Sequence, residues 1–419
     1  MTAIPFIYFT LLSCWLYLRR RELDMAVAIS MIYAVSGFFT ILYEDLNLRG
    51  FDTRNYEVSL FPTILYCTLL TMCLLPFIMF SNRRIAEIKP VRNVRLLKIT
   101  AWAAFIWFVI SAVLSLPMFI LMLTSDMAEM RGAIYRGEGE DGFMVFLPPY
   151  IRIPLALTNL AFGCYWIFVF LAFYCLLIQR LPIKYFWLFI VASLSGPWGG
   201  ILGADRSRST YWIISVVITY LFYRPFMSAK LKRIITGIML IFISITSIYL
   251  LMMTVSRFDK SDDGAFGAII DYLGQNFVNF CYFFDTFDSP WTTFSLIFPF
   301  TSQYILGEKI VGGVPIQEHL KDLTGKELGV FYTFIGHIMV SAGRAIVIVW
   351  CIVYMVLATH ILRKYKRRTV SLHTAFCYML LASVMYLGLW VFFYSSPSLT
   401  FSAVCFLVLT KMMGTKTAR

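Results

Sequence analysis

Apolar residues run along this chain in long blocks, and eleven of these approach the roughly 20 residues that a helix needs to cross a bilayer. They cover about 2–18, 25–43, 58–80, 99–123, 153–178, 185–204, 210–223, 234–254, 345–362, 372–394 and 398–413, the seventh and the last being short. The pattern predicts an all-α polytopic membrane protein with about 11 transmembrane helices, organised as one integral membrane domain. Helices 1–8 fall within 1–254, with an external loop at about 124–152. A long extracytoplasmic loop with amphipathic, interfacial helices fills 255–344, and helices 9–11 fall within 345–419. The first block, Met1 to Leu18, lacks a basic leader and runs into Arg19-Arg20-Arg21 instead of a small-residue cleavage site, so it reads as a span and not as a signal peptide.

Composition agrees with that pattern. Of 419 residues, 60% are hydrophobic and 14% charged, and mean hydropathy is +0.76. A soluble domain carries about 25% charged residues. The net charge of +13 would suggest a nucleic-acid partner in a soluble protein, but its distribution gives a different account. With the N-terminus outside, alternate gaps hold Arg19-Arg20-Arg21; Arg83, Arg84, Lys89, Arg92, Arg95 and Lys98; and Arg180 and Lys184. The same side receives Arg224, Lys230, Lys232 and Arg233; Arg363, Lys364, Lys366, Arg367 and Arg368; and Lys411, Lys416 and Arg419. That side thus collects 23 of the 36 basic residues with only Glu22, Asp24 and Glu87 among the acids. This is the positive-inside distribution, and it needs no nucleic acid.

The inside gaps are short, and no GxxxxGK phosphate loop or dinucleotide glycine motif occurs, so ATP bound by this chain is not expected. The nine cysteines show no CxxC or Cys/His spacing, which supports neither a disulfide framework nor a zinc site. Four histidines in all, spread from His319 to His373, argue against a His-based metal centre.

Two outer segments remain. The first holds Arg131, Arg136, Glu138, Glu140 and Asp141 among four glycines, a charged turn region. It reads as a solvated loop, as a mobile element whose Arg131 or Arg136 meets an anionic substrate, or as a carboxylate run for a divalent cation. In the second, Phe266 to Phe287 mixes aromatic rings with Asp271, Gln275, Asn276, Asn279 and Asp285. That mixture suits helices lying at the membrane interface as an aromatic belt, or a sugar-binding face.

Arginine stands out on the outer side, where basic residues are scarce. The sixth block ends in G-P-W-G-G-I-L-G, and Asp205, Arg206, Ser207 and Arg208 follow at once. Glycines and proline at membrane depth are tolerated against protein or a wet cavity, and a helix start adds a favourable field for an anion. Guanidinium groups match phosphate oxygens. Against this stands a plain salt-bridged turn. Arg257 follows the eighth block and Arg344 precedes the ninth; the four arginines are expected to converge on one external cavity. His337, seven residues before Arg344, shares its face if the segment is one helix, and is a candidate base or donor.

In these stretches the chain resembles the oligosaccharide repeat-unit polymerases, the O-antigen polymerase (Wzy) family. The resemblance rests on G-A-D-R-S-R-S-T after the sixth block, T-V-S-R-F after the eighth and G-V-F-Y-T-F-I-G-H-I-M-V-S-A-G-R into the ninth, with Arg131 to Gly142 matching a loose Arg-x10-Gly pattern. The turn has Asp-Arg-Ser-Arg where Ser-Arg-Gly is expected, so Arg206 and Arg208 compete for the family arginine. The resemblance implies a GT-C-type membrane glycosyltransferase of a bacterial plasma membrane, with its active site on the periplasmic side and with no cofactor or metal. It would transfer a growing glycan from undecaprenyl diphosphate to a lipid-linked repeat unit, making O-antigen of lipopolysaccharide or capsule. Membrane lipid and a chain-length regulator are the implied partners. Arg206, Arg208, Arg257, Arg344, Arg131 and Arg136 become diphosphate ligands, and His337, Asp205 and Asp259 candidate bases. An O-antigen ligase shares this donor. A lipid-linked oligosaccharide flippase would also need a cationic cavity, but should show internal repeats, and none is visible.

Overall fold

The computed structural model describes residues 1–50, 53–124, 149–203, 205–258, 264–288, 321, 325–326, 330–363 and 369–415. In chain order these form α1 (Ile4–Arg20), α2 (Met25–Asp45), α3 (Leu60–Met79), β1 (Glu87–Ile88), α4 (Val94–Leu114), α5 (Leu116–Thr124), α6 (Pro149–Phe162) and α7 (Trp166–Leu177). Next come α8 (Ile183–Ser193), α9 (Ser195–Leu202), α10 (Arg206–Tyr223), α11 (Ala229–Phe258) and α12 (Gly264–Thr286). The last are α13 (Thr333–Ala342), α14 (Arg344–Leu362), β2 (Thr369–Val370), α15 (Leu372–Tyr386) and α16 (Pro397–Met413).

The fold is all-α, and among the described residues six helices are long and apolar enough to cross a membrane. These are Met25–Asp45, Leu60–Arg84, Val94–Leu114, Ile183–Leu202, Ala229–Met252 and Arg344–Leu362. A pair bent by 56°, Ala156–Phe162 with Trp166–Leu177, makes a seventh if it is one span. Several predicted blocks are therefore broken helices, and the breaks have local causes. Pro117 lacks an N–H and crowds the preceding turn, so α4 stops at Ser115. Between α6 and α7 the freed Cys164 N–H donates to the Ser402 hydroxyl at 3.2 Å, which keeps a buried backbone group satisfied. The tenth block is expected to run to 394, but α15 ends at Tyr386 and an irregular stretch with one 3-10 turn, Phe393–Ser395, precedes Pro397.

The chain divides into two compact units. The first comprises Met1–Ile85, Phe258–Arg367 and Leu380–Ser396. Here α12 packs on α2 so closely that a Cβ at Gly274 would lie 2.4 Å from the Phe39 carbonyl oxygen. Its amide residues point inward, with Gln275, Asn276 and Asn279 all buried. The Gln275 Oε1 accepts from Asn279 Nδ2 at 3.0 Å and from the Phe331 N–H at 3.1 Å, while Asn279 also donates to the Phe331 carbonyl. The stretch Phe266 to Phe287, expected as an aromatic belt at the interface or a sugar-binding face, thus turns its amides into the protein. The segment is one helix, and its polar stripe is spent inside the protein on the backbone that leads into α13, because a buried backbone amide must find a partner.

One end of this unit is tied by Asp24. It caps α2 by accepting from the Val27 N–H, pairs with Arg20, and accepts from the Ser81 hydroxyl at 2.6 Å. At the other end the α2–α3 connection meets the C-terminus of α12, where the Tyr56 hydroxyl donates to Asp285.

The second unit comprises Ala86–Arg257, Arg368–Met379 and Pro397–Arg419. Its core is aromatic: Phe168, Phe170, Tyr174, Phe222 and Tyr223 are essentially buried, with Trp166 stacked on Phe376 at 5.7 Å. The connection before α4 gathers three others. Strand β1 pairs in parallel with β2, Val91 bridges to Thr415, and the Val91 N–H donates to Gln179 at 2.9 Å. The gaps carrying Lys89, Arg92 and Arg95, Arg180 and Lys184, and Lys411 therefore meet at one end of this unit.

Candidate functional site

The sequence placed its strongest chemistry at the start of α10, and the local fold shows what holds it there. The Trp212 indole, on α10, donates to the Ser193 hydroxyl at 3.0 Å and anchors the end of α8. Short α9 is fixed by Trp198, which stacks on Phe119 at 4.2 Å and donates to the Ser115 hydroxyl at 2.8 Å. The same break that ends α4 thus supplies the partner that positions α9.

Asp205 is the N-cap of α10. Its Oδ1 accepts from the Ser207 N–H at 2.8 Å and its Oδ2 from the Ser207 hydroxyl at 2.9 Å. Both oxygens are thereby engaged in closing the helix start, which is the usual work of an aspartate at this position. That geometry disfavours the role of base. It also means that part of the helix-start field already acts on a carboxylate of the chain itself.

Arg206 and Arg208 diverge from this cap. Arg206 turns inward and donates from Nη1 to the Thr254 hydroxyl on α11 at 2.7 Å. Arg208 turns outward: its side chain is 57% exposed, and its Nε lies 3.7 Å from Asp205 Oδ2. Gly199 and Gly200 present a bare backbone beside it, for a Cβ at Gly199 would fall 2.7 Å from Arg208 Nη1. Two cations at the positive end of a helix oppose the macrodipole, and one cap carboxylate does not balance them. Among the described residues the cluster thus brings two guanidinium groups and one carboxylate together, with the Arg208 guanidinium facing outward.

Of the other predicted residues, Arg344 and His337 are those with described side chains. Arg257 falls in the last turn of α11, one turn beyond Thr254, but its side chain lies outside the described part. Asp259, Arg131 and Arg136 also lie outside the described residues, as do Glu138, Glu140 and Asp141. Arg344 belongs to the first unit. There its Nη2 reaches the Asp285 and Phe287 carbonyls at 3.4 and 3.3 Å and the Asp288 carboxylate at 3.3 Å. Its guanidinium also sits 5.4 Å from the Phe284 ring centre. A cation against the last carbonyls of α12 is a helix C-terminal cap, a structural use that sequence spacing did not reveal.

His337 does not share a helix with Arg344. Gly343, at φ 96° and ψ 165°, ends α13 and starts α14, a conformation that favours glycine. The His337 Nδ1 accepts from the Phe392 N–H at 3.1 Å in the irregular stretch after α15. That stretch is pinned by further backbone bonds, Tyr332 N–H to Trp390 O and Phe334 N–H to Gly388 O. Burial lowers the imidazole pKa to about 4 in this segment, which the sequence reading assigns outside the spans. A neutral ring with Nδ1 as acceptor carries its proton on Nε2, so the imidazole is a donor there and not a base.

Among the described residues no group of three or more His, Cys, Asp or Glu stands close enough to hold a metal ion. Comparison with protein families, with curated proteins and with solved structures found no match.

Proposed function

We propose that this chain is a membrane glycosyltransferase that polymerises a surface polysaccharide, taking a growing glycan from a lipid diphosphate and adding it to a lipid-linked repeat unit. The observation that carries this reading is the start of α10, where exposed Arg208 and inward-facing Arg206 stand beside Gly199 and Gly200 in a helical, apolar chain. The leaving diphosphate gains charge as its bond to the sugar breaks, and guanidinium groups fixed in advance stabilise that charge. Of the two, Arg208 is the better placed ligand. Arg206 ties α10 to α11 and contributes its charge from behind.

The membrane topology belongs to the same reading. Eleven spans with the N-terminus outside would put the joined basic connections of the second unit in the cytoplasm and the start of α10 on the periplasmic side of a bacterial plasma membrane. Spans of 17 residues or fewer, such as α1 and α16, would cross with the help of basic residues in their last turns.

The test is reconstitution of the purified protein with lipid-linked repeat units. A ladder of lengthening glycans supports polymerisation. Transfer of a single pre-made glycan to a lipid core instead indicates a ligase, which shares the donor. Movement of the lipid-linked sugar across the bilayer without bond formation indicates a flippase.

A further inference from the structure

At the gathered end of the second unit, α4 and α8 start side by side and run the same way. Val91, just before α4, donates its N–H to Gln179, just before α8, and the two helices pack against each other. Lys98, in the second turn of α4, holds its Nζ 5.6 Å from the centre of the Tyr185 ring. Lys184, in the first turn of α8, holds its Nζ 5.4 Å from the same centre. Tyr185 is buried, Lys98 half-buried and Lys184 exposed.

A cation near a ring face is attracted to it, but two cations drawn to one ring repel each other. In the first unit the basic residues at the start of α2 and the end of α3 have carboxylates, Arg20 pairing with Asp24 and Arg83 with Glu22. Lys98 and Lys184 make no hydrogen bond or ion pair among the described residues. Glu87 is the single acid in 86–98, 178–184, 224–233, 363–370 and 411–419, so the connections here supply little counter-charge. The positive-inside distribution accounts for the sign of these residues, but not for two lysines from different helices meeting on one ring. One turn beyond them the surface becomes apolar. Trp102 follows Lys98 on α4 and Trp187 follows Lys184 on α8, and both indoles are exposed. Both helices belong to stretches long and apolar enough to cross a membrane. Cations at the ends of two spans, with exposed indoles one turn deeper, match the two parts of a lipid, a charged headgroup and its chains.

We propose that Lys98 and Lys184, gathered on Tyr185, bind the phosphate of an anionic lipid whose chains lie along Trp102 and Trp187. The lysine stems are flexible, so both ammonium groups can turn from the ring to a shared phosphate, which relieves their repulsion. In the topology of the polymerase reading the site faces the cytoplasmic leaflet, where anionic headgroups concentrate. Lipid binding itself needs only that α4 and α8 lie in a membrane.

Three probes test this on the purified full-length protein in a nonionic detergent: short-chain phosphatidylglycerol, phosphatidylcholine of the same chain length, and inorganic phosphate. Phosphatidylglycerol is expected to bind more tightly than either of the others. Removing one lysine beside an anionic headgroup weakens binding about fivefold, so Lys98→Gln combined with Lys184→Gln should weaken it about 25-fold, with phosphatidylcholine unchanged. Lys230→Gln combined with Lys232→Gln takes the same charge from the connection before α11 and is expected to weaken it by less than about twofold, because distant exposed charges are screened. An unchanged affinity in the Lys98 and Lys184 variant overturns the site, as does an equal loss in the Lys230 and Lys232 variant. Phosphatidylcholine or inorganic phosphate bound as tightly as phosphatidylglycerol also overturns it. None of these measurements involves turnover, so their failure is separate from that of the polymerase reading, which falls if the reconstituted protein makes no ladder.

Discussion

The guanidinium of Arg208 rests against the backbone of Gly199, so closely that a methyl group there would come within 2.7 Å of Nη1. The obstructing atom is the far end of a flexible side chain, so Gly199→Ala should fold and simply displace the guanidinium. Alanine also favours the helical backbone of α9 by up to about 1 kcal/mol. The expected outcome is a stable protein with a defect like that of Arg208→Ala. Loss of a pre-placed charge at a leaving diphosphate lowers turnover by about 100-fold, and Gly199→Ala is expected to lower it by about tenfold. Ladder formation in the reconstituted system measures both. Full activity in Gly199→Ala together with Arg208→Ala would remove the diphosphate assignment.

Asp205 separates capping from catalysis. Asparagine caps a helix about as well as aspartate, whereas alanine costs about 1 kcal/mol. Asp205→Asn should therefore keep both thermal stability and polymerisation near wild type, and Asp205→Ala should lower the unfolding temperature while activity per folded molecule persists. If Asp205→Asn folds normally yet makes no glycan, the aspartate acts as a base after all.

How far the sequence could lead is visible in these same residues. Apart from α12 and α13, the helices of the described part fall where the apolar blocks do, because block length and hydropathy are local properties, and Asp205 before Arg206 reads directly as a cap. The breaks at Ser115 and Gly163 follow from proline and glycine nearby, although apolar block length by itself predicts a continuous helix through each. What was not legible depends on partners distant along the chain. The inward turn of Gln275 and Asn279 is decided by Phe331, and the outward face expected for α12 gave way to that bond. The capping contacts of Arg344 are not legible because the carbonyls it meets lie 57 and 59 residues away. Asp285 looked like one polar residue among many, since Tyr56 and Ser59 are more than 200 residues distant.

Arg344 as a cap makes a different prediction from Arg344 as a substrate ligand. Removing a partly exposed cation from the end of α12 costs about 1 kcal/mol, an unfolding-temperature drop of about 1 °C for a protein of this size. Lysine keeps the charge but not the fork that reaches two carbonyls. Arg344→Ala should therefore lower the melting temperature in detergent, with Arg344→Lys in between, while turnover of the folded fraction changes little. A hundredfold loss of turnover at unchanged stability would restore the ligand role.

His337 links the α13 turn to the broken stretch after α15, and its burial gives that link a pH dependence. An unfolded imidazole takes up a proton near pH 6.5, whereas the folded one resists protonation until about pH 4. Between those values unfolding absorbs a proton, so stability contributed by the neutral ring is complete above about pH 6.5 and is lost as the pH falls toward 4. His337→Asn removes the titration and keeps an oxygen that can accept from the Phe392 N–H. The wild type should lose melting temperature between pH 7 and pH 4.5 more steeply than His337→Asn, and the two curves should converge at the acid end. Parallel curves across that range would mean that the imidazole is already solvated in the folded protein, and the donor assignment at Nε2 would lose its basis.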